Sequence, residues 1–184
     1  VTKMAKFDIT EIIEIPEGIE ISLNGRVMTA KGPKGECSKD LISPIVKIKV
    51  EEKKIILEVT KATKREKRLI NTARAHVRNI IKGVTEGYVY KLKICSGHFP
   101  MSVNMEGDKI TVKNFLGEKI PRHARLLEGS KVEIKGDEII VSSTNIELAG
   151  QTAVNIERST RITNRDRRRF QDGIFIIQKA GVEV

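Results

Sequence analysis

The chain has 184 residues, 39% hydrophobic and 32% charged, and its 34 basic and 24 acidic side chains leave a net charge of +10. No run nears the roughly 18 to 20 apolar residues of a membrane-spanning helix, Val1-Thr2-Lys3-Met4-Ala5-Lys6 contains no apolar signal region, and Cys37 and Cys95 are too few and too isolated for a disulfide framework or zinc site. A cytoplasmic protein of one ordinary or two small domains is therefore expected, with no membrane partner and with a polyanion favoured by the charge.

In chain order, Ile19 to Leu23 alternates apolar and polar residues and predicts a strand. Asn24-Gly25 supplies the positive φ angles of a two-residue hairpin, which returns through Val27-Met28-Thr29-Ala30-Lys31. Val46, Ile48 and Val50 alternate again, Glu52-Lys53 reads as a turn, and Ile55 to Val59 as a further strand. A helix is predicted from about Lys64 to Lys82. Thr63 and Glu66 form a capping-box pair at its start, and Gly83 is the expected C-terminal cap. Leu69, Ile70, Ala73, Val77, Ile80 and Ile81 fall on one apolar stripe.

Beyond a join near Thr85-Glu86-Gly87-Tyr88, the pattern is written a second time. Glu106-Gly107-Asp108-Lys109-Ile110-Thr111-Val112-Lys113 matches Asn24 to Lys31 at an offset of 82. Val132, Ile134, Ile139, Ile140 and Val141 match Ile48, Val50, Ile55, Ile56 and Leu57 at 84. Thr152-Ala153 and Arg158 match Thr72-Ala73 and Arg78 at 80. Asn145 is expected to cap a helix running to about Ser159, with Ile146, Ala149, Ala153 and Ile156 inward. Gly173-Ile174-Phe175-Ile176-Ile177 reads as a final strand. The expected fold is α+β, a tandem duplication of a small domain with short antiparallel sheets packed on one helix. Its two repeats are 1–84, which includes an N-terminal strand, and 85–184, which includes an Arg-rich tail.

Charge is unevenly spread. Residues 1–83 carry 18 basic and 11 acidic side chains, 84–157 carry 9 and 10, and 158–184 carry 7 and 3. The tail holds Arg158, Arg161, Arg165, Arg167, Arg168 and Arg169 against one acid, Asp166. The planar guanidinium grips phosphate bidentately and stacks on bases, which Lys does not. A charge run is more often a solvated or disordered face, but this one lies between a helix and an apolar strand. These six arginines, with Lys179, are the candidate RNA contacts. Arg74, Arg78 and Lys82, four residues apart on the first helix, form a weaker candidate patch. Gly32-Pro33-Lys34-Gly35 lacks the phosphate-loop spacing and a following helix, so at most Lys34 touches a backbone phosphate. With five Phe, two Tyr and no Trp, recognition of folded RNA through phosphates and shape is expected over base stacking.

Nothing points to catalysis. His76, His98 and His123 lack metal-ligand spacing, no nucleophile sits in a catalytic setting, and no pair of acids stands out. No cofactor, metal or small-molecule substrate is expected. An RNA-acting enzyme and a nucleic-acid architectural protein remain the competing classes.

Ile15-Pro16-Glu17-Gly18, Lys31-Gly32-Pro33-Lys34-Gly35, Gly97-His98-Phe99-Pro100, Thr160-Arg161-Ile162 and Arg165-Asp166-Arg167-Arg168-Arg169-Phe170-Gln171-Asp172-Gly173-Ile174 occur in this order. Through them the chain resembles the large-subunit ribosomal protein six family, in its archaeal and eukaryotic form, over nearly its whole length. The resemblance implies a duplicated α+β domain and a non-enzymatic role in translation. It also implies that the second domain and its tail bind large-subunit rRNA near the sarcin–ricin loop, at the base of the acidic stalk. Neighbouring ribosomal proteins are then partners, and translation factors dock nearby.

Overall fold

The period-two alternation of the first half becomes six strands in the computed structural model, which describes residues 7–41, 45–51 and 53–183. They are β1 (Phe7–Glu14), β2 (Glu20–Asn24), β3 (Val27–Gly32), β4 (Gly35–Asp40), β5 (Lys47–Glu51) and β6 (Lys54–Ala62). Two antiparallel sheets result, ordered β2-β3-β4 and β1-β6-β5. Of the Glu52-Lys53 turn, Glu52 lies outside the described residues. The first hairpin turns one residue later than the Asn24-Gly25 signal predicts. Asn24 pairs with Val27, so the loop is Gly25-Arg26, with Gly25 at φ +62° in the first loop position. A glycine there suits a type II′ turn, whose twist matches that of the strands.

Helix α1 (Lys64–Thr85) begins as the capping box predicts. Glu66 accepts from the Thr63 backbone N–H and hydroxyl, and the Thr63 hydroxyl in turn accepts from a first-turn N–H. These bonds hold the Glu66 carboxyl below its usual range. The helix runs past Gly83, which is buried within it, and ends at a Glu86 cap followed by Gly87 at φ +77°. Packing overrides the glycine signal: Gly83 and Val84 continue the buried face of Ile80 and Ile81, so stopping at Lys82 would take Val84 out of the core. The 32–35 loop completes this end, since the Lys34 N–H donates to the Val84 carbonyl at 3.0 Å. A Cβ on Gly32 would stand 2.8 Å from that same carbonyl oxygen. Gly32→Ala should therefore cost the first unit about 1–3 kcal/mol, read by denaturant unfolding.

The second half holds β7 (Tyr88–Cys95), β8 (Ser102–Glu106), β9 (Lys109–Lys113), β10 (Arg122–Arg125), β11 (Lys131–Lys135), β12 (Glu138–Ser143), helix α2 (Ile146–Ser159), β13 (Gly173–Lys179) and β14 (Val182–Glu183). Its sheets are β10-β9-β8 and β11-β12-β7-β13-β14. β13 is thus followed by one short strand more than expected. The chain forms two units, residues 1–87 and 88–184, each with its own core.

The duplication is visible in the registers. Glu106 pairs with Lys109 around Gly107, also at φ +62°, repeating the first hairpin. Ile13 opposes Ile55 as Leu92 opposes Ile139, which makes β7 the counterpart of β1. Of the helix letters that match at 80, Ala73 and Ala153 are both buried and Arg78 and Arg158 both exposed, whereas Thr72 is exposed and Thr152 fully buried. The buried triplet Ile70-Ala73-Val77 shares its spacing with Ala149-Thr152-Ile156. The units diverge at one edge: β7 carries β13 on its outer side, where β1 has no strand among the described residues.

Candidate nucleic-acid interface

α2 starts on Asn145, whose side chain accepts from the Glu147 N–H, and ends at Thr160. Between this end and β13 runs the arginine-rich loop, residues 161–172, fastened at both ends. At its start, buried Thr160 donates its hydroxyl to the Glu157 carbonyl and accepts from the Ile174 N–H at 2.9 Å, stitching helix to strand. Arg122, from β10, donates one nitrogen to the carbonyls of Ser159 and Arg161, both at 3.0 Å. A cation on the last carbonyls of a helix is the favourable sense of the macrodipole. The rest of that guanidinium grips Glu118 at 2.6 and 2.7 Å and lies 4.3 Å from the Phe115 ring centre.

The loop's far end is held by Asp172, only 4% exposed. One carboxylate oxygen accepts from the Gly97 N–H at 2.6 Å; the other lies 3.3 Å from the His98 N–H and 3.2 Å from His98 Nδ1. Gly97-His98 therefore serves as the dock for the tail, not merely as the end of a strand. His98 stacks on Phe170 with ring centres 5.0 Å apart, and the Arg165 guanidinium also lies 5.0 Å from that ring centre. Gly173 leaves the loop at φ +152°, where a Cβ would stand 3.1 Å from the Phe175 ring.

The six arginines are not equivalent. Arg168 is clasped by Asp166, which accepts from its backbone N–H and from two guanidinium nitrogens at 2.8 to 3.2 Å. That pairing lowers the Asp166 carboxyl below its usual range and raises the Arg168 guanidinium above its own. Asp166 also shapes the loop, its carbonyl accepting from the Arg169 and Phe170 N–H groups. Arg165 is engaged by Phe170. Arg158, Arg161, Arg167 and Arg169 are exposed and form no ion pair among the described residues. Four uncompensated guanidiniums thus stand on or beside one anchored loop.

Lys179 is not gathered with them. β13 carries it six residues beyond Gly173, about 20 Å along the strand. In the first unit, Arg74 is taken up by Glu11, which accepts two hydrogen bonds of 3.1 Å from it. Lys82 sits 3.8 Å from Glu86, while Arg78 and Lys34 are exposed near the C-terminal end of α1. The residues that composition did not single out are Arg122, Thr160 and His98.

The Glu118 carboxyl is held below its ordinary range, chiefly by its hydrogen bonds to Arg122. A depressed carboxylate stabilises the fold at neutral pH and loses that contribution as pH falls through its folded value. Glu118→Gln should lower the melting temperature at neutral pH and flatten its decline across the acidic carboxylate range, a difference read by thermal melts at several pH values.

The ribosomal protein L6 family model matches residues 15–87 and again 99–173. The chain belongs to the ribosomal protein L6 family. It is 45% identical over 173 residues to the large ribosomal subunit protein uL6 of Methanococcus vannielii, covering 94% of this chain and 95% of that protein. The uL6 of Methanosarcina mazei is 46% identical over 94% of this chain and 98% of its own length. That of Methanobrevibacter smithii is 45% identical over 93% and 96%. These relatives are archaeal, and the family is one of structural proteins rather than enzymes.

Proposed function

We propose that this L6-family chain is a structural constituent of the large ribosomal subunit, in the cytoplasm, and holds large-subunit rRNA through the loop of its second unit. The observation that carries this reading is the set of four unpaired arginines, three on the loop fastened by Thr160, Arg122 and Asp172 and Arg158 beside it on α2. An anchored loop loses little conformational freedom on binding, so its charge is spent on phosphate contacts. Arg158, Arg161, Arg167 and Arg169 are the main phosphate ligands. Arg165 and Arg168 contribute charge while shaping the loop, and Lys179 serves a separate stretch of RNA. Lys34, Arg78 and Lys82 form a second, smaller basic surface at the end of α1, with Arg74 bracing β1 instead. The RNA region is the sarcin–ricin loop and its neighbouring helices at the base of the acidic stalk, among other ribosomal proteins and close to the docking translation factors.

The test is binding to an rRNA fragment spanning that region, against a duplex of equal length, at several salt concentrations. A preference for the fragment with a steep salt dependence is expected, at about 0.7–0.9 log units per log unit of salt for each phosphate neutralised. Equal affinity for both RNAs would point to an architectural duplex binder instead.

A further inference from the structure

Beside the arginine loop, the second unit carries a pocket of about 680 Å³ that opens to solvent. Its lining is sorted by chemistry. Thr160 and Ile174 form a buried floor, Ile162, Phe170 and Phe175 are half-buried walls, and Arg158, Arg161 and Arg167 are exposed at the mouth; the two carboxylates of the lining are already engaged, Asp172 by Gly97 and His98 and Glu157 by the Ile176 N–H. The remaining lining matches a ligand that is flat and apolar on its faces and anionic at one end.

We propose that this cavity receives one unstacked nucleotide of the bound RNA. Its base lies against Phe175 and Ile162, and its phosphate is held at the mouth by Arg158, Arg161 and Arg167. The volume falls in the range of pockets that take small molecules and is too small for a helix. Unstacked bases resting on aromatic or guanidinium planes are the usual route to sequence-selective RNA contact. Gln171, exposed at the mouth, makes no hydrogen bond to another described residue and offers both a donor and acceptors to a base edge. The seven Phe and Tyr rings of the chain are few, yet two of them line this one cavity. The low aromatic count, which favours phosphate and shape recognition alone, conceals that concentration. This inference rests on the RNA-binding reading above and adds a contact that phosphate clamping does not require.

Three variants test it on the full chain with the rRNA fragment. Cys95→Phe fills the cavity from the β7 side without altering charge, Gln171→Ala removes the exposed amide, and Phe175→Trp places a single tryptophan in a chain that has none. Cys95→Phe should weaken binding roughly tenfold or more, the scale of one lost base stack, with the salt slope unchanged. Gln171→Ala should weaken it several-fold, and the Phe175→Trp emission should be quenched on adding the fragment. Should Cys95→Phe not fold by circular dichroism, the other two variants decide. Steep, salt-dependent binding with native affinity in Gln171→Ala and unquenched tryptophan would overturn the cavity assignment while leaving the RNA-binding reading in place. No binding of the fragment by the native chain would overturn both.

Discussion

Replacing Arg158, Arg161, Arg167 and Arg169 together with alanine should weaken binding of the rRNA fragment about 10²- to 10³-fold at 0.15 M salt. The size follows from counterion release. A slope of about 0.7 to 0.9 per phosphate makes each contact worth roughly four- to fivefold at that concentration relative to 1 M, and four contacts multiply. The salt slope itself should fall by about three, which is the sharper readout, since it counts phosphates rather than summing every consequence of the substitutions. All four side chains are exposed and without ion pairs among the described residues, so their removal leaves no buried group unsatisfied and the fold should survive. Arg168→Ala supplies the contrast. Its charge is already engaged by Asp166, so it should change the slope by less than any of the four. An unchanged slope in the fourfold variant would place the phosphate contacts elsewhere in the chain.

The features that were legible in the sequence are those whose cause is local. The Thr63–Glu66 capping box spans four residues, and both its hydrogen bonds form as the pattern implies. The two glycine hairpins and the buried stripe of α1 are equally local, and repetition made them doubly visible. The helix end was not, because whether Gly83 stops α1 depends on what its last turn packs against. The strand β7 alternates weakly in Tyr88 to Cys95, and its place beside both β12 and β13 is a property of the whole sheet. β10 reads Arg122-His123-Ala124-Arg125 and has almost no apolar signal. At the candidate site, composition located the arginines but could not rank them. Arg167 and Arg168 are neighbours with the same side chain, and only the turn around Asp166 separates an engaged guanidinium from an uncompensated one. Arg122 was hidden for a further reason. It acts on carbonyls at Ser159 and Arg161, nearly forty residues away, and no spacing rule reaches that far.

Asp172→Ala should be the most damaging single substitution in the second unit. The lost partners are the N–H groups of Gly97 and His98 and the ring Nδ1 of His98. Hydrogen bonds to a charged acceptor contribute about 1.5–3 kcal/mol apiece but do not add fully, so about 2–4 kcal/mol is expected. For a unit of this size that is a fall in melting temperature of roughly 10–25 °C. Asp172→Asn should recover only part of it. Its single oxygen can serve Gly97, but its NH2 then faces the His98 N–H, a donor against a donor. The RNA readout separates positioning from contact. Asp172 is buried and carries no phosphate-binding charge, so the variant should bind about tenfold more weakly, from the cost of ordering a loosened loop, with its salt slope unaltered. That pattern is the converse of the fourfold arginine variant, in which the slope falls and the fold holds. Native affinity alongside a lowered melting temperature would mean that the arginines act as a diffuse charge and that the anchored shape of the loop is not what the RNA reads.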